Sequence, residues 1–183
     1  MSNVSDFESR RDALIAEITA AFDGVSREDG MTLHEAEAMD DWKSSAEQRA
    51  ARRLDLESRW QDVPDDDIFA CRSALSFLNE KGFRYYIPAF MVYGLRHWGD
   101  DWNGILNSCE YHLLHDYPKS LRKSEPAAIA GKYQFTDAQS KAVARLLRLL
   151  IDFDEIAGDG ATVEAVERWE RYAMVNSFGN GGI

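Results

Sequence analysis

Three helix-start signals, spread along the chain, constrain its fold more than any other feature of the sequence. In each of them a serine or threonine is followed three residues later by glutamate or glutamine, at Ser5–Glu8, Thr32–Glu35 and Thr136–Gln139. Such a capping box satisfies two backbone N–H groups that a new helix would otherwise leave without partners. Apolar residues with helical spacing follow, most clearly at Val143, Leu146, Leu147, Leu150 and Phe153. The sequence therefore predicts a mainly α protein of about seven helices.

The segment from residue 64 to residue 98 contains several helix boundaries. Pro64 followed by three aspartates is typical of a helix start, because carboxylates suit the positive end of the helix dipole. Asn79 and Gly82 are typical of a helix end. Pro88 suits the first position of the next helix. Between them, residues 83–87 are aromatic and predict one short extended segment.

Three other stretches are expected to lie at the periphery of a single compact domain over residues 1–178. Residues 43–59 are charged, and they predict a solvent-exposed helix or an insertion. Residues 117–132 contain prolines, a glycine and basic side chains, and they predict a loop. Residues 179–183 are glycine-rich and predict a frayed tail. A chain of 183 residues has the length of one ordinary domain.

The charge of the chain is concentrated in its N-terminal part. Residues 1–70 contain 8 basic and 18 acidic residues, so they hold −10 of the net charge of −11. Such acidity repels nucleic-acid phosphates and attracts a protein partner that has a basic surface. No run approaches the ~20 apolar residues of a membrane helix, and no signal peptide is visible. With only Cys71 and Cys109 as cysteines, we expect a cytoplasmic protein and no membrane partner.

Tryptophans beside carboxylates indicate where such a partner would bind. Tryptophan anchors many protein interfaces, and nearby charges steer association. The acidic part of the chain combines the two at Asp40, Asp41, Trp42, Trp60, Asp65, Asp66 and Asp67. We expect a partner-binding surface there. In the alternative interpretation, the acids form a solvated face and each tryptophan covers the core at a helix end.

One helix face contains side chains that could bind a metal ion. Residues three and four apart share a helix face, and thiolate, imidazole and carboxylate groups are ligands of zinc and iron. The candidates are Cys109, His112, His115 and Asp116, with a further ligand from His97 or His34. In the alternative interpretation, the two histidines complement the negative end of the helix dipole.

A motif at residues 77–91 resembles that of a known family. It consists of Phe77-Leu78 and the run from Gly82 to Met91, and a second match begins at Phe135-Thr136. With these motifs the chain resembles a bacterial family that is defined only as domain of unknown function six-seven-one-four. The resemblance extends from about Ala13 to Tyr172 and implies a bacterial protein. It supplies no activity, cofactor or catalytic residue.

Two hypotheses of function follow from these observations. The first is a non-catalytic protein-binding module that needs no cofactor. Its sharper form is an acidic immunity protein, similar to an antitoxin, that neutralises a basic bacterial toxin. The alternative is a metal-binding protein or a metal-dependent hydrolase that uses zinc or iron at the helix face of His112, His115 and Asp116. The sequence contains no phosphate-binding glycine loop and no nucleophile motif, so no catalytic residue is assigned.

Overall fold

The structure is a computed structural model, and it describes residues 2–100, 104–115, 124–153 and 160–179. These residues form nine α-helices and two short 3-10 helices, at Trp60–Asp62 and Ala74–Ser76, but no β-strand. The α-helices are α1 (Ser2–Ala21), α2 (Leu33–Asp40), α3 (Ser45–Ala51), α4 (Asp65–Ala70), α5 (Glu80–Arg96), α6 (Gly104–Leu114), α7 (Pro126–Tyr133), α8 (Asp137–Phe153) and α9 (Gly160–Gly179). The mainly α fold class is confirmed.

The chain divides into two compact units. Unit 1 comprises residues 1–22 and 113–183, and unit 2 comprises residues 23–112. The division falls inside α6, after His112. A single domain over residues 1–178 stays a prediction.

Helix α8 organises the core of unit 1. The capping box at its start is confirmed, because Thr136 and Gln139 exchange backbone-to-side-chain hydrogen bonds of 3.0 and 3.2 Å. The apolar face of α8 packs against both α1 and α9. The indole of Trp169 on α9 is 1% exposed and donates a hydrogen bond of 3.0 Å to the carbonyl of Leu113. The buried apolar side chains of these three helices include Leu14, Ile18, Val143, Leu146, Leu147, Leu150, Val166 and Trp169.

Helix α5 organises the core of unit 2, and it corrects the prediction of a short extended segment. Residues 83–87 lie inside this helix, and most of its side chains are buried around its whole circumference. Burial on all sides removes the helical periodicity from the sequence, so the run looks like a buried strand. Asn79 begins α5 instead of ending a helix, because its side chain accepts a hydrogen bond of 2.9 Å from the backbone N–H of Gly82. Pro88 lies within the helix.

Other predicted boundaries also differ from the structure. Ser5 lies inside α1, which begins at Ser2, so the first capping box does not mark a helix start. The predicted loop at 117–132 is wrong over its second part, because Pro126 occupies the first turn of α7. Residues 116–123 and 180–183 lie outside the described residues. Within 43–59, α3 has no buried residue, but the segment that follows α3 does turn acidic side chains inward.

Gly82 allows two backbone segments of unit 2 to lie in direct contact. A Cβ atom at this position would lie 2.4 Å from the carbonyl oxygen of Met31. A Cβ atom at Gly30 would in turn lie 2.6 Å from the backbone nitrogen of Gly82. Two glycines therefore let the first turn of α5 pack against the chain that leads into α2.

We expect Gly82→Ala to lower the free energy of unfolding by about 1–3 kcal/mol, because the added methyl group would force these backbones apart. Gly131→Ala is the matched control. Its Cβ atom would meet no described atom within 4 Å, so it should raise stability by about 0.5–1 kcal/mol. Urea denaturation of both variants measures the difference, and an unchanged stability of Gly82→Ala would contradict the contact.

Candidate functional site

Three polar side chains form a closed ring at the centre of unit 2. Arg27 Nη1 donates to Glu57 Oε1 at 2.9 Å and to the Tyr86 hydroxyl at 2.7 Å. The Tyr86 hydroxyl donates to the same Glu57 Oε1 at 2.7 Å. Tyr86 is fully buried, and the side chain of Glu57 is only 8% exposed. Charge-assisted hydrogen bonds of this kind are stronger than neutral ones.

The pKa values of Tyr86 and Arg27 keep both side chains protonated. Burial raises the pKa of Tyr86, and the hydrogen bond to Glu57 raises it further, so the phenol keeps the proton that it donates. Burial alone would lower the pKa of Arg27. Its interactions with Tyr86 and Glu57 outweigh this effect and raise that pKa. The ring therefore contains a cation and a neutral phenol, and both donate to Glu57.

A second acidic side chain joins the ring to α2. The carboxylate of Asp55 accepts the backbone N–H of His34 at 3.1 Å and lies 2.8 Å from its Nδ1 atom. Arg27 donates to the carbonyl oxygen of Asp55 at 3.3 Å. The other ring nitrogen of His34, Nε2, lies 3.9 Å from the carboxylate of Asp67. Asp55 and Glu57, which lie between α3 and the 3-10 helix at Trp60–Asp62, are thus held inward.

The segment Leu54-Asp55-Leu56-Glu57 consequently buries its acidic side chains and exposes its leucines. Asp55 is 7% exposed, whereas Leu54 is 62% and Leu56 is 87% exposed. A surface segment normally turns its apolar side chains inward, and here the polar partners inside reverse that choice. No motif in the sequence predicted these residues as a site. The alternation of leucine and acid was visible, but Arg27 and Tyr86 are distant in sequence.

Trp42 is the most exposed of the predicted partner-binding residues. Its side chain is 94% exposed, and its backbone has a positive φ of 57°. Of its acidic neighbours, Asp40 accepts a hydrogen bond from the hydroxyl of Ser73 at 2.9 Å. Asp41 lies 3.9 Å from Lys43 and is exposed. Trp60, by contrast, is 3% exposed and belongs to the core of unit 2.

The three aspartates at the start of α4 have different surroundings. Asp65 binds Arg96 at 2.5 Å and lies 3.5 Å from His97. Asp67 faces His34, as described above. Asp66 is exposed and has no ion-pair partner among the described residues. The structure therefore leaves Asp41, Trp42 and Asp66 at the surface of unit 2, and we call these three residues the acidic surface.

The predicted metal ligands are not brought together in the described part of the chain. Cys109 is fully buried, and burial raises the pKa of its thiol. His112 is 3% exposed, and its Nε2 atom lies 3.3 Å from the hydroxyl of Ser76. No group of three histidine, cysteine or acidic side chains suited to a metal ion occurs among the described residues. Because Asp116 lies outside them, a site that includes it stays a prediction.

Unit 1 contains a groove of about 560 Å³ above α8, between α1 and α9. Its floor includes the small side chains of Ala13, Ala144 and Ala173. Each arginine of the rim is paired with a carboxylate, as Arg10–Asp152, Arg145–Glu17 and Arg148–Glu170. The charges of the rim are thus largely compensated, and the groove favours no particular class of ligand.

The described residues define an all-helical fold that exposes the side chains of Asp41, Trp42 and Asp66. The chain belongs to the family of unknown function DUF6714, whose model matches residues 10–173. The comparisons with curated proteins and with solved structures each gave no match for this chain. None of the described helices is both long enough and apolar enough to cross a membrane.

Both thiols are expected to be unreactive in the native protein. Burial, helped by the nearby carboxylates of Glu37, Asp55 and Asp67, raises the pKa of Cys71 from 9.0 to about 12. At about pH 8 each thiol should therefore stay protonated and out of reach, and should react with Ellman's reagent only as fast as the protein unfolds. The control is the same protein unfolded in urea, in which both thiols should react. Rapid reaction of Cys71 or Cys109 without denaturant would contradict this burial.

Proposed function

We propose that the protein is a non-catalytic binding module that docks a basic protein partner on its acidic surface. The conformation of Trp42 is the observation that carries this proposal. Trp42 lies just beyond the C-terminal end of α2, where it donates to the carbonyl of Met39 at 3.1 Å. The next residue, Lys43, donates to the carbonyl of Ala38 at 3.0 Å. This pair of bonds is a Schellman motif, and its left-handed position is usually glycine.

Tryptophan at this position is unfavourable for the isolated protein. The left-handed conformation costs a residue with a Cβ atom about 1–2 kcal/mol. An exposed indole also leaves most of a large apolar surface in water, and burying ~200 Å² of it would contribute several kcal/mol. Residues with a strained backbone cluster at functional sites. Contact with a partner would compensate for both costs.

Two exposed carboxylates of unit 2 support a basic partner. Asp66 has no ion-pair partner in the described residues, and Asp41 has only a distant one in Lys43. Carboxylates of this kind steer a partner of opposite charge and add little desolvation cost at the rim of an interface. In its sharper form the proposal is an immunity protein whose acidic surface covers the basic surface of a toxin.

Trp42→Gly should stabilise the protein and abolish partner binding at the same time. Glycine relieves the left-handed strain, so the free energy of unfolding should rise by about 1 kcal/mol. Gln134→Gly is the matched control. Gln134 has a φ of 54° at the same position after α7, and Phe135 donates to Ala130 there as Lys43 does to Ala38.

Partner binding is measured by capture with tagged protein that is expressed in its native cells. Stability is measured by urea denaturation. The wild type and Gln134→Gly should capture the same stoichiometric, salt-released protein, and Trp42→Gly should not. Equal capture by Trp42→Gly would contradict the proposal. If the captured protein is a toxin, co-expression of the wild type, and not of Trp42→Gly, should restore growth.

Charge reversal tests electrostatic steering separately from the aromatic contact. We expect Asp41→Lys/Asp66→Lys to slow association with the captured partner at least tenfold at low salt and to weaken its salt dependence. Glu8→Lys/Glu167→Lys makes the same change in net charge on unit 1 and serves as the control. Stopped-flow or surface-plasmon-resonance association rates measure the effect. Equal rates for the two double variants would show that the acidic surface does not steer the partner.

A further inference from the structure

A second surface of unit 2 has the opposite charge. Arg49, Arg53 and Arg59 are exposed, and none of them has a carboxylate within ion-pair distance among the described residues. Leu54 and Leu56 lie between them in the sequence and are 62% and 87% exposed. We call these five residues the leucine–arginine segment. Three uncompensated cations and two exposed leucines are unexpected in a chain with a net charge of −11.

The ring at the centre of unit 2 explains how this segment becomes basic. Asp55 and Glu57 would neutralise two of the arginines if they faced the solvent. Arg27 and Tyr86 hold Glu57 inward, and His34 holds Asp55. The segment therefore exposes its leucines and arginines, while the side chains of the two neighbouring acids, Asp55 and Glu57, stay buried.

We propose that a second copy of this chain occupies the leucine–arginine segment. In this dimer the segment of one copy binds the acidic surface of the other, and a two-fold axis repeats the contact. Trp42 would supply the apolar counterpart of Leu54 and Leu56. Asp41 and Asp66 would pair with arginines. Each copy carries both halves of the interface, as a symmetric dimer requires.

Local charge complementarity favours a second copy over a nucleic acid. A second copy offers the exposed carboxylates of Asp41 and Asp66 and the exposed indole of Trp42. Two exposed leucines also require an apolar partner surface, which a phosphate backbone does not provide. The inference uses the acidic surface of the proposed function but does not require a basic partner. If both hold, the dimer and the partner complex exclude each other.

Sedimentation velocity over a range of protein and salt concentrations tests the dimer. We expect a reversible dimer that dissociates as salt is raised, because screening weakens the charged contacts. Leu54→Ser/Leu56→Ser should weaken the dimer at least tenfold. Met174→Ser/Val175→Ser is the matched control, because it changes two exposed neighbours in unit 1, 62% and 70% exposed, and should leave the dimer unchanged.

A charge exchange makes the test specific for the proposed pairing. Arg53→Glu/Arg59→Glu and Asp41→Arg/Asp66→Arg should each be monomeric alone, because each would bring like charges together. Mixed in equal amounts, they should form a mixed dimer, since both contacts are then complementary again. Circular dichroism checks that each variant is folded.

Several outcomes would overturn the dimer. They are a wild-type monomer at about 0.2 mM and low salt, an unchanged dimer in Leu54→Ser/Leu56→Ser, and no mixed dimer. Leucine-dependent binding to phosphatidylserine vesicles by a monomer would assign the segment to a membrane surface instead. A monomer that still captures a basic partner through Trp42 would overturn only this inference. A dimer that captures no partner would overturn only the proposed function.

Discussion

The ion pair between Arg27 and Glu57, closed by the Tyr86 hydroxyl, is the interaction on which the surface of unit 2 depends. Removing one partner from this partly exposed ion pair leaves an uncompensated charge, at a cost of about 1–3 kcal/mol. Glu57 is therefore fixed inward, whereas its neighbour Leu56 faces the solvent. The core of the unit thus determines which side chains are exposed. The contact between Arg27 and Glu57 therefore affects both the packing of the core and the surface that a partner would meet.

Unit 2 departs from the usual rules of local structure at Glu28, which has a φ of 54°, and at the places that we assign to binding. Trp42 occupies a left-handed position that normally favours glycine, and Leu54 and Leu56 face the solvent. Each departure lowers the stability of the isolated chain. Natural proteins generally keep such local conflicts where function requires them. Unit 1 also has one left-handed residue beyond a helix, Gln134, but there the side chain is polar and its exposure costs little.

Local signals predicted the parts of the fold whose causes are local. The capping boxes at Thr32 and Thr136 are confirmed, and α8 follows its apolar periodicity. Helix α5 was missed over residues 83–87 because a helix that is buried on all sides shows no periodicity. The features of the candidate site could not be predicted in this way, because they depend on partners that are distant in sequence. Trp42 was identified from its composition, but its strain arises from the geometry at the end of α2. The inversion of Leu54 and Leu56 arises from Arg27 and Tyr86.

A double-mutant cycle between Arg27 and Glu57 tests most directly whether their contact holds the inverted segment in place. Urea denaturation of Arg27→Met, Glu57→Gln and the double variant gives the three free energies of unfolding. We predict that each single change costs about 1–3 kcal/mol and that the double change costs at least about 1 kcal/mol less than the sum. Additive losses would contradict the account, because they would mean that the two side chains do not support each other.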